Sequence, residues 1–331
     1  QDELRTAAKE IRAKNWQAQK AAGITAIPSN DFSFYDQILG AISLFGAIPA
    51  RFNFDGGKVD LDLFFAMARG AQKDGVDVTA MEMTKWFDTN YHYIVAEFTK
   101  DQTFTISCDK IFNEYLEAKE LGIETRPVVV GPVTFLLSGK TVDGSNALDL
   151  LPNLLKGYKD LFAKLQEIGV KDVQIDEPHL VTDLPAGAAE AYKEAFAQIK
   201  TFAGDIKLHL ATYFDTLGNN AELAFGLGTD SVHVDLVRAA GQFDAALNLV
   251  KEGQTLSLGL VNGRNIWINN FENSVNIAQK AIAKLGEDKV IIAPSCQLPN
   301  PISEPSSSSP ALPNSLPKMF SFSNSVTKNA P

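Results

Sequence analysis

Leu154-Leu155-Lys156-Gly157-Tyr158-Lys159-Asp160-Leu161-Phe162-Ala163-Lys164-Leu165-Gln166-Glu167-Ile168-Gly169-Val170-Lys171-Asp172-Val173-Gln174-Ile175-Asp176-Glu177-Pro178 is the stretch on which the fold turns. Leu154, Leu155, Tyr158, Leu161, Phe162, Leu165 and Ile168 recur at helical spacing, and Gly169 stands where a helix C-terminal cap belongs. Val170 to Ile175 then reads as a strand, stopped by Pro178. One helix feeds one strand, which is the repeating unit of a parallel sheet. A helix with Tyr192, Phe196 and Ile199 precedes a strand at Ile206–Thr212, and a helix with Ala278, Ile282 and Leu285 precedes another at Val290–Ala293. Ile24–Pro28, Val128–Val130, Ser231–Asp235 and Leu256–Val261 complete a set of seven strands.

Seven strands in steady alternation with helices predict an α/β fold, a (β/α)8 TIM-type barrel short of one strand and its closing helix. The first strand is not followed by G-x-G-x-x-G, which disfavours a doubly wound dinucleotide-binding sheet. Asp60 to Lys100 fits the alternation poorly and reads as an inserted helix and hairpin over the top of the barrel. The barrel is expected over residues 1–296. A Pro/Ser-rich tail, 297–331, with four consecutive serines at Ser306–Ser309, cannot build a core and is expected to be disordered.

Forty acidic against thirty basic residues give a net charge of -10, which argues against nucleic acid as a partner. No apolar run approaches the roughly 20 residues needed to span a bilayer, so no membrane partner and a cytoplasmic location are expected. Cys108 and Cys296 lie far apart, a spacing that predicts two reduced thiols and no C-x-x-C metal site. The chain opens with Gln1 inside a helical pattern, which predicts a fragment or processed product.

Polar clusters stand at the strand ends: Ser29, Asn30 and Asp31; Asp176, Glu177 and His179; Thr212 and Asp215; His233 and Asp235; Asn262 and Arg264. In a parallel barrel these converge on one mouth. The plainer alternative for each is a local cap or turn, a role that Asn, Asp and Ser favour. Asn30, Asp31, Asp176, Glu177 and Arg264 are the leading mouth candidates. Adjacent carboxylates at Asp176 and Glu177 could split their pKa values for acid/base work or hold a cation. Their alternative is an ion pair with Lys85 or Arg264. His209 and His233 alternate with apolar neighbours and read as packed, hydrogen-bonded histidines, so no metal site is legible.

The run Ala80-Met81-Glu82-Met83-Thr84-Lys85-Trp86-Phe87-Asp88-Thr89-Asn90-Tyr91-His92-Tyr93 is too long and idiosyncratic to reflect propensity. With Ile27-Pro28-Ser29-Asn30-Asp31-Phe32-Ser33, Gly131-Pro132-Val133-Thr134, Gln174-Ile175-Asp176-Glu177-Pro178 and Val261-Asn262-Gly263-Arg264-Asn265-Ile266-Trp267, it resembles the cobalamin-independent methionine synthase family. The resemblance runs from Gln1 to Cys296 and covers that family's amino-terminal barrel. It implies an enzyme of two similar barrels that moves a methyl group from 5-methyltetrahydropteroyltriglutamate to homocysteine. It further implies that zinc lies on the carboxyl-terminal catalytic barrel and that the amino-terminal barrel braces it and helps to bind folate. Asn90 matches a position contacting the folate's glutamate tail. The family's basic Arg-Glu-Leu-Lys tail contact precedes the point where this chain begins. Its catalytic His-x-Cys pair corresponds here to Leu210 and Thr212, with Asp235 and Cys296 near the other two ligand positions. No catalytic residue and no zinc are therefore expected on this chain. The alternatives are a truncated, non-catalytic folate-binding or scaffold barrel, and a stand-alone zinc-barrel methyltransferase.

Overall fold

The computed structural model describes residues 1–296 apart from 74, 75 and 266, so the expected tail at 297–331 lies outside the described residues. All seven expected strands form, and they make one sheet in sequential order. They are β1 (Ile27–Ser29), β2 (Thr125–Val130), β3 (Asp172–Asp176), β4 (Lys207–Ala211), β5 (Ser231–Asp235), β6 (Thr255–Val261) and β7 (Val290–Pro294). Every neighbouring pair is parallel. Sequential parallel order with helices between strands is barrel topology, and β1 and β7 remain as edges.

Two strand starts moved by three residues, and the other boundaries by no more than two. Ile24 and Ala26 were expected in β1, but the Ile24 amide closes the preceding helix by donating to the Gln19 carbonyl. β2 begins three residues before Val128, at Thr125, and runs through Pro127, where it pairs with Ile27–Ser29 of β1. The inserted segment is richer than expected. It holds a helix (Leu61–Arg69) and two antiparallel hairpins, Ala71–Lys73 with Val76–Val78 and Met83–Lys85 with His92–Ile94.

The helix Leu151–Glu167 shows why the sheet is covered. It buries Leu154, Leu155, Tyr158, Leu161, Phe162 and Leu165 along one face, and Gly169 at φ 83° turns the chain into β3. These side chains join Val173, Ile175, Leu208, Leu210, Val232, Val234, Leu256 and Leu258 in one apolar core, each large side chain stabilising by about 1.5–3 kcal/mol. The alternate strand positions are polar. Arg126 approaches Asp172 at 3.5 Å, His209 bridges Asp172 (2.9 Å) and Ser231 (2.5 Å), and His233 meets Ser257 at 2.9 Å. Most TIM-type interiors are filled by branched apolar residues, whereas this one is tied by cross-strand hydrogen bonds. Burial lowers His209 to about 4 and His233 to about 3, so both are neutral near pH 7 and serve the packing, as their alternation predicted.

Candidate functional site

The carboxyl ends of the strands are held by carboxylates that accept backbone hydrogen bonds. Asp235, closing β5, accepts from the amides of Phe214 (3.1 Å), Val237 (3.0 Å) and Arg238 (2.9 Å), which fixes the turns after β4 and β5 together. Asn262, closing β6, accepts from the Arg264 amide at 2.9 Å. Phe214 is thereby held at φ 82°, a left-handed conformation rare for a bulky side chain. The hairpin Met83–Lys85/His92–Ile94 seats on this rim. Phe87, itself at φ 52°, packs on His179 and Phe214 with ring centroids 5.1 and 5.8 Å apart. Asp88 is gripped by Arg238 at 2.6 Å and Arg264 at 3.1 Å. Partial burial would raise the Asp88 carboxyl, but the two guanidiniums outweigh it and hold the group below the usual carboxylate range.

Asp176 and Glu177, adjacent in sequence, diverge. Asp176 accepts from Gln174 (2.8 Å) and from the Tyr213 hydroxyl (3.0 Å). Glu177 turns to the helix Pro132–Leu137 and accepts from the amides of Val133 (3.1 Å) and Thr134 (2.8 Å) and from the Tyr192 hydroxyl (3.0 Å). A Cβ on Gly131 would overlap the Glu177 carboxyl, so the Gly131-Pro132-Val133-Thr134 and Asp176-Glu177-Pro178 motifs are two halves of one contact. Burial raises both carboxyls to about 7. The ion pair weighed for them, with Lys85 or Arg264, does not form: Arg264 goes to Asp88 and Lys85 is exposed on the hairpin.

The first cluster also serves locally. Asn30, at φ 60°, donates to the Val128 carbonyl at 2.7 Å and accepts from Lys110 at 2.8 Å, bracing β1 against β2 and the helix Lys110–Glu120. Asn30 and Asp31 lie on the wall of a cavity of about 580 Å³ between that helix, Asp2–Ala21 and Gln37–Leu44, away from the hairpin. Asp215 is exposed and accepts from the next amide, a turn role. Asn90 sits exposed in the loop of the seated hairpin. Below that hairpin a second cavity, about 420 Å³, is lined by Lys85, Trp86, Phe87, Tyr93, Ser138 and His179. It offers aromatic walls, one exposed ammonium and a neutral imidazole, since burial lowers His179 to about 4. Asp183 adds a carboxylate to the same wall, so the lining suits a flat, partly apolar ligand with polar ends.

Sequence reasoning missed three members. Asp36 is fully buried, caps the helix Gln37–Leu44 through the Ile38 and Leu39 amides at 2.8 Å, and accepts from Ile94 of the hairpin at 3.0 Å. Burial raises it to about 7. Its N-cap position before an apolar run was legible, but its tie to the hairpin was not. Asp88 and Arg238 are partners 150 residues apart, and no local pattern joins them.

The four positions that the resemblance places at the zinc site do not fit a metal. Leu210 is buried in the apolar core, the Thr212 hydroxyl donates to the His233 carbonyl at 2.7 Å, and Asp235 is occupied by three amides. Cys296 is buried beside Ser295, whose hydroxyl lies 3.8 Å from its sulfur. Among the described residues no group of three or more His, Cys, Asp or Glu could hold a metal ion.

The fold is that of a TIM-type barrel protein, and the candidate site stands at the carboxyl ends of its strands. The chain belongs to the cobalamin-independent synthase family: the model described as "Cobalamin-independent synthase, N-terminal domain" matches residues 1–286. It is similar to a 5-methyltetrahydropteroyltriglutamate–homocysteine methyltransferase of Xylella fastidiosa, 50% identical over 296 residues, covering 89% of this chain and 39% of that protein. The Saccharomyces cerevisiae protein of the same name is 48% identical over 309 residues, covering 90% of this chain and 40% of the relative. The chain thus spans about two fifths of the length of these curated relatives. A solved B12-independent methionine synthase from Shewanella sp. W3-18-1 shares the fold, with a TM-score of 0.65 over 92% of this chain and 84% of that one, at 15% identity.

Proposed function

We propose that residues 1–296 form the amino-terminal barrel of a two-barrel methionine synthase, which passes a methyl group from 5-methyltetrahydropteroyltriglutamate to homocysteine. In this reading the zinc that activates homocysteine as a thiolate lies on a carboxyl-terminal barrel. This barrel braces that partner and holds the folate's anionic tail at the seated hairpin, with Asn90 donating its amide to a tail carboxylate. The enzyme acts in the cytoplasm; no helix among the described residues is long and apolar enough to cross a membrane. The observation that carries the reading is the 50% identity extending over 89% of the chain to relatives of that name. The poor fit of Leu210, Thr212, Asp235 and Cys296 to zinc supports leaving the metal to the partner barrel.

The test has two arms. Calorimetric titration should show pteroyltriglutamate binding this chain more tightly than pteroylmonoglutamate, with Asn90→Ala weakening the triglutamate by about tenfold, roughly 1.4 kcal/mol, just under the range for a hydrogen bond to a charged group because Asn90 is exposed. Co-purified with a relative's carboxyl-terminal barrel, the chain should support methionine formation. Equal affinity for both folates together with no activity in the reconstituted pair would sink the proposal.

A further inference from the structure

The hairpin is internally stiff. Trp86 donates its amide to the Tyr91 carbonyl at 2.8 Å, the Thr89 hydroxyl donates to the Trp86 carbonyl at 2.6 Å, and the Tyr91 amide donates to Thr89 Oγ1 at 3.1 Å. The hairpin is anchored at its base, where the Ile94 amide donates to Asp36 at 3.0 Å and Trp86 is buried, so the placement of its tip depends on what holds that tip to the rim. Its aromatic contacts, Phe87 on Phe214 and His179, can slide because stacking is tolerant of offset. Asp88 cannot slide: it is held by one guanidinium from the turn after β5 and another from the turn after β6. The second guanidinium also donates to the Asp88 carbonyl at 3.2 Å and lies 5.7 Å from the Phe214 ring. Both arginines have their own backbones pinned, Arg238 by Asp235 and Arg264 by Asn262, so the grip has a rigid base.

We propose that Asp88 is the positioning residue for this site: clamped by Arg238 and Arg264, it fixes where the hairpin carrying Lys85 and Asn90 stands over the barrel mouth. Asn90 lies two positions beyond the clamp, so a loop released at Asp88 carries the tail contact out of register. The consequence for folate rests on the function proposed above; the clamp itself does not. Exposed ion pairs contribute little singly, but two guanidiniums on one carboxylate with a bond to its own backbone carbonyl form a network that defines geometry.

Hydrogen exchange read by mass spectrometry on the full chain tests the clamp. Asp88→Asn should speed exchange in the peptide spanning 83–94 by at least fivefold while peptides from β3 to β6 and the thermal midpoint stay put. Asp88→Glu should recover part of the protection, and Arg238→Gln should repeat the Asn phenotype. Should Asp88→Asn unfold the chain, Arg238→Gln gives the same reading with one arginine retained. Unchanged exchange at 83–94 in both variants overturns the clamp, as does a uniform rise across all peptides. The folate arm separates the two ideas. A loosened hairpin with triglutamate affinity reduced supports both, whereas a loosened hairpin with unchanged affinity leaves the clamp standing and removes Asn90 from the folate site.

Discussion

Gly131→Ala is a test of how the two motifs at the mouth interlock. The backbone at Gly131, φ -71° and ψ 154°, is open to any residue, so the substitution costs nothing in conformation. It even gains about 0.4–1 kcal/mol by restricting the unfolded chain. What it meets is Glu177: the three atoms nearest a new Cβ all belong to that side chain, each closer than 3.0 Å. Glu177 is fully buried and held from three directions, by Val133, Thr134 and Tyr192, so a shift away from the new methyl group strains those bonds. Displacing it forfeits three hydrogen bonds, from Val133, Thr134 and Tyr192, and leaves buried donors without acceptors at about 1–3 kcal/mol each. After the small backbone gain, a net loss of roughly 2–8 kcal/mol is expected, a large part of the roughly 5–15 kcal/mol that holds a typical domain together. Urea unfolding followed by tryptophan fluorescence measures it. A double-mutant cycle sharpens the result: in a Glu177→Ala background the space is already empty, and Gly131→Ala should cost no more than about 0.5 kcal/mol. A loss below 1 kcal/mol in the native background, or additive losses in the cycle, would refute the reasoning.

Two further outcomes follow from buried titratable groups. Asp36, Asp176 and Glu177 stand near 7 in the fold against about 4 in an unfolded chain, so the stability tied to their protons is full below about pH 4 and is lost as pH rises through 7. The buried histidines are depressed and act only below about pH 6.5, so the urea midpoint should fall between pH 6.5 and 8, and Asp176→Asn should shallow that slope by about a third. A midpoint that is flat or rising over that interval contradicts the assignment. Neither cysteine is in a disulfide, but Cys108 is partly exposed and Cys296 is buried with a thiol raised to about 12. A thiol reagent at pH 8 should therefore label one site in the native protein and both, without reductant, in urea; rapid native labelling of Cys296 would show that its burial is wrong.

The sequence by itself determined the layout of the barrel. Helical spacing from Leu154 to Ile168, the Gly169 cap and the short runs of Val and Ile are local signals, because each reports how a few neighbouring residues divide between core and solvent. They placed all seven strands, and the long motifs placed the chain in its family. The hairpin count, and the β1 and β2 boundaries, escaped because they depend on which amides a distant or preceding element uses up. Asn30, Asp176, Glu177, Asp235, Asn262 and Arg264 stand at or just beyond strand ends, as their spacing from the predicted strands indicated. The sequence did not determine what they do there. Asp176 and Glu177 are neighbours in sequence, yet one binds Tyr213 and the other the start of Pro132–Leu137, because consecutive residues leaving a strand point to opposite sides. Asp88 lies within a motif legible at sight, while its meaning rests on Arg238 and Arg264, which only the folding of the inserted hairpin back onto the ends of β5 and β6 brings within reach. Ion pairs and buried hydrogen bonds depend on three-dimensional distance, and the spacing of residues along the chain does not encode it.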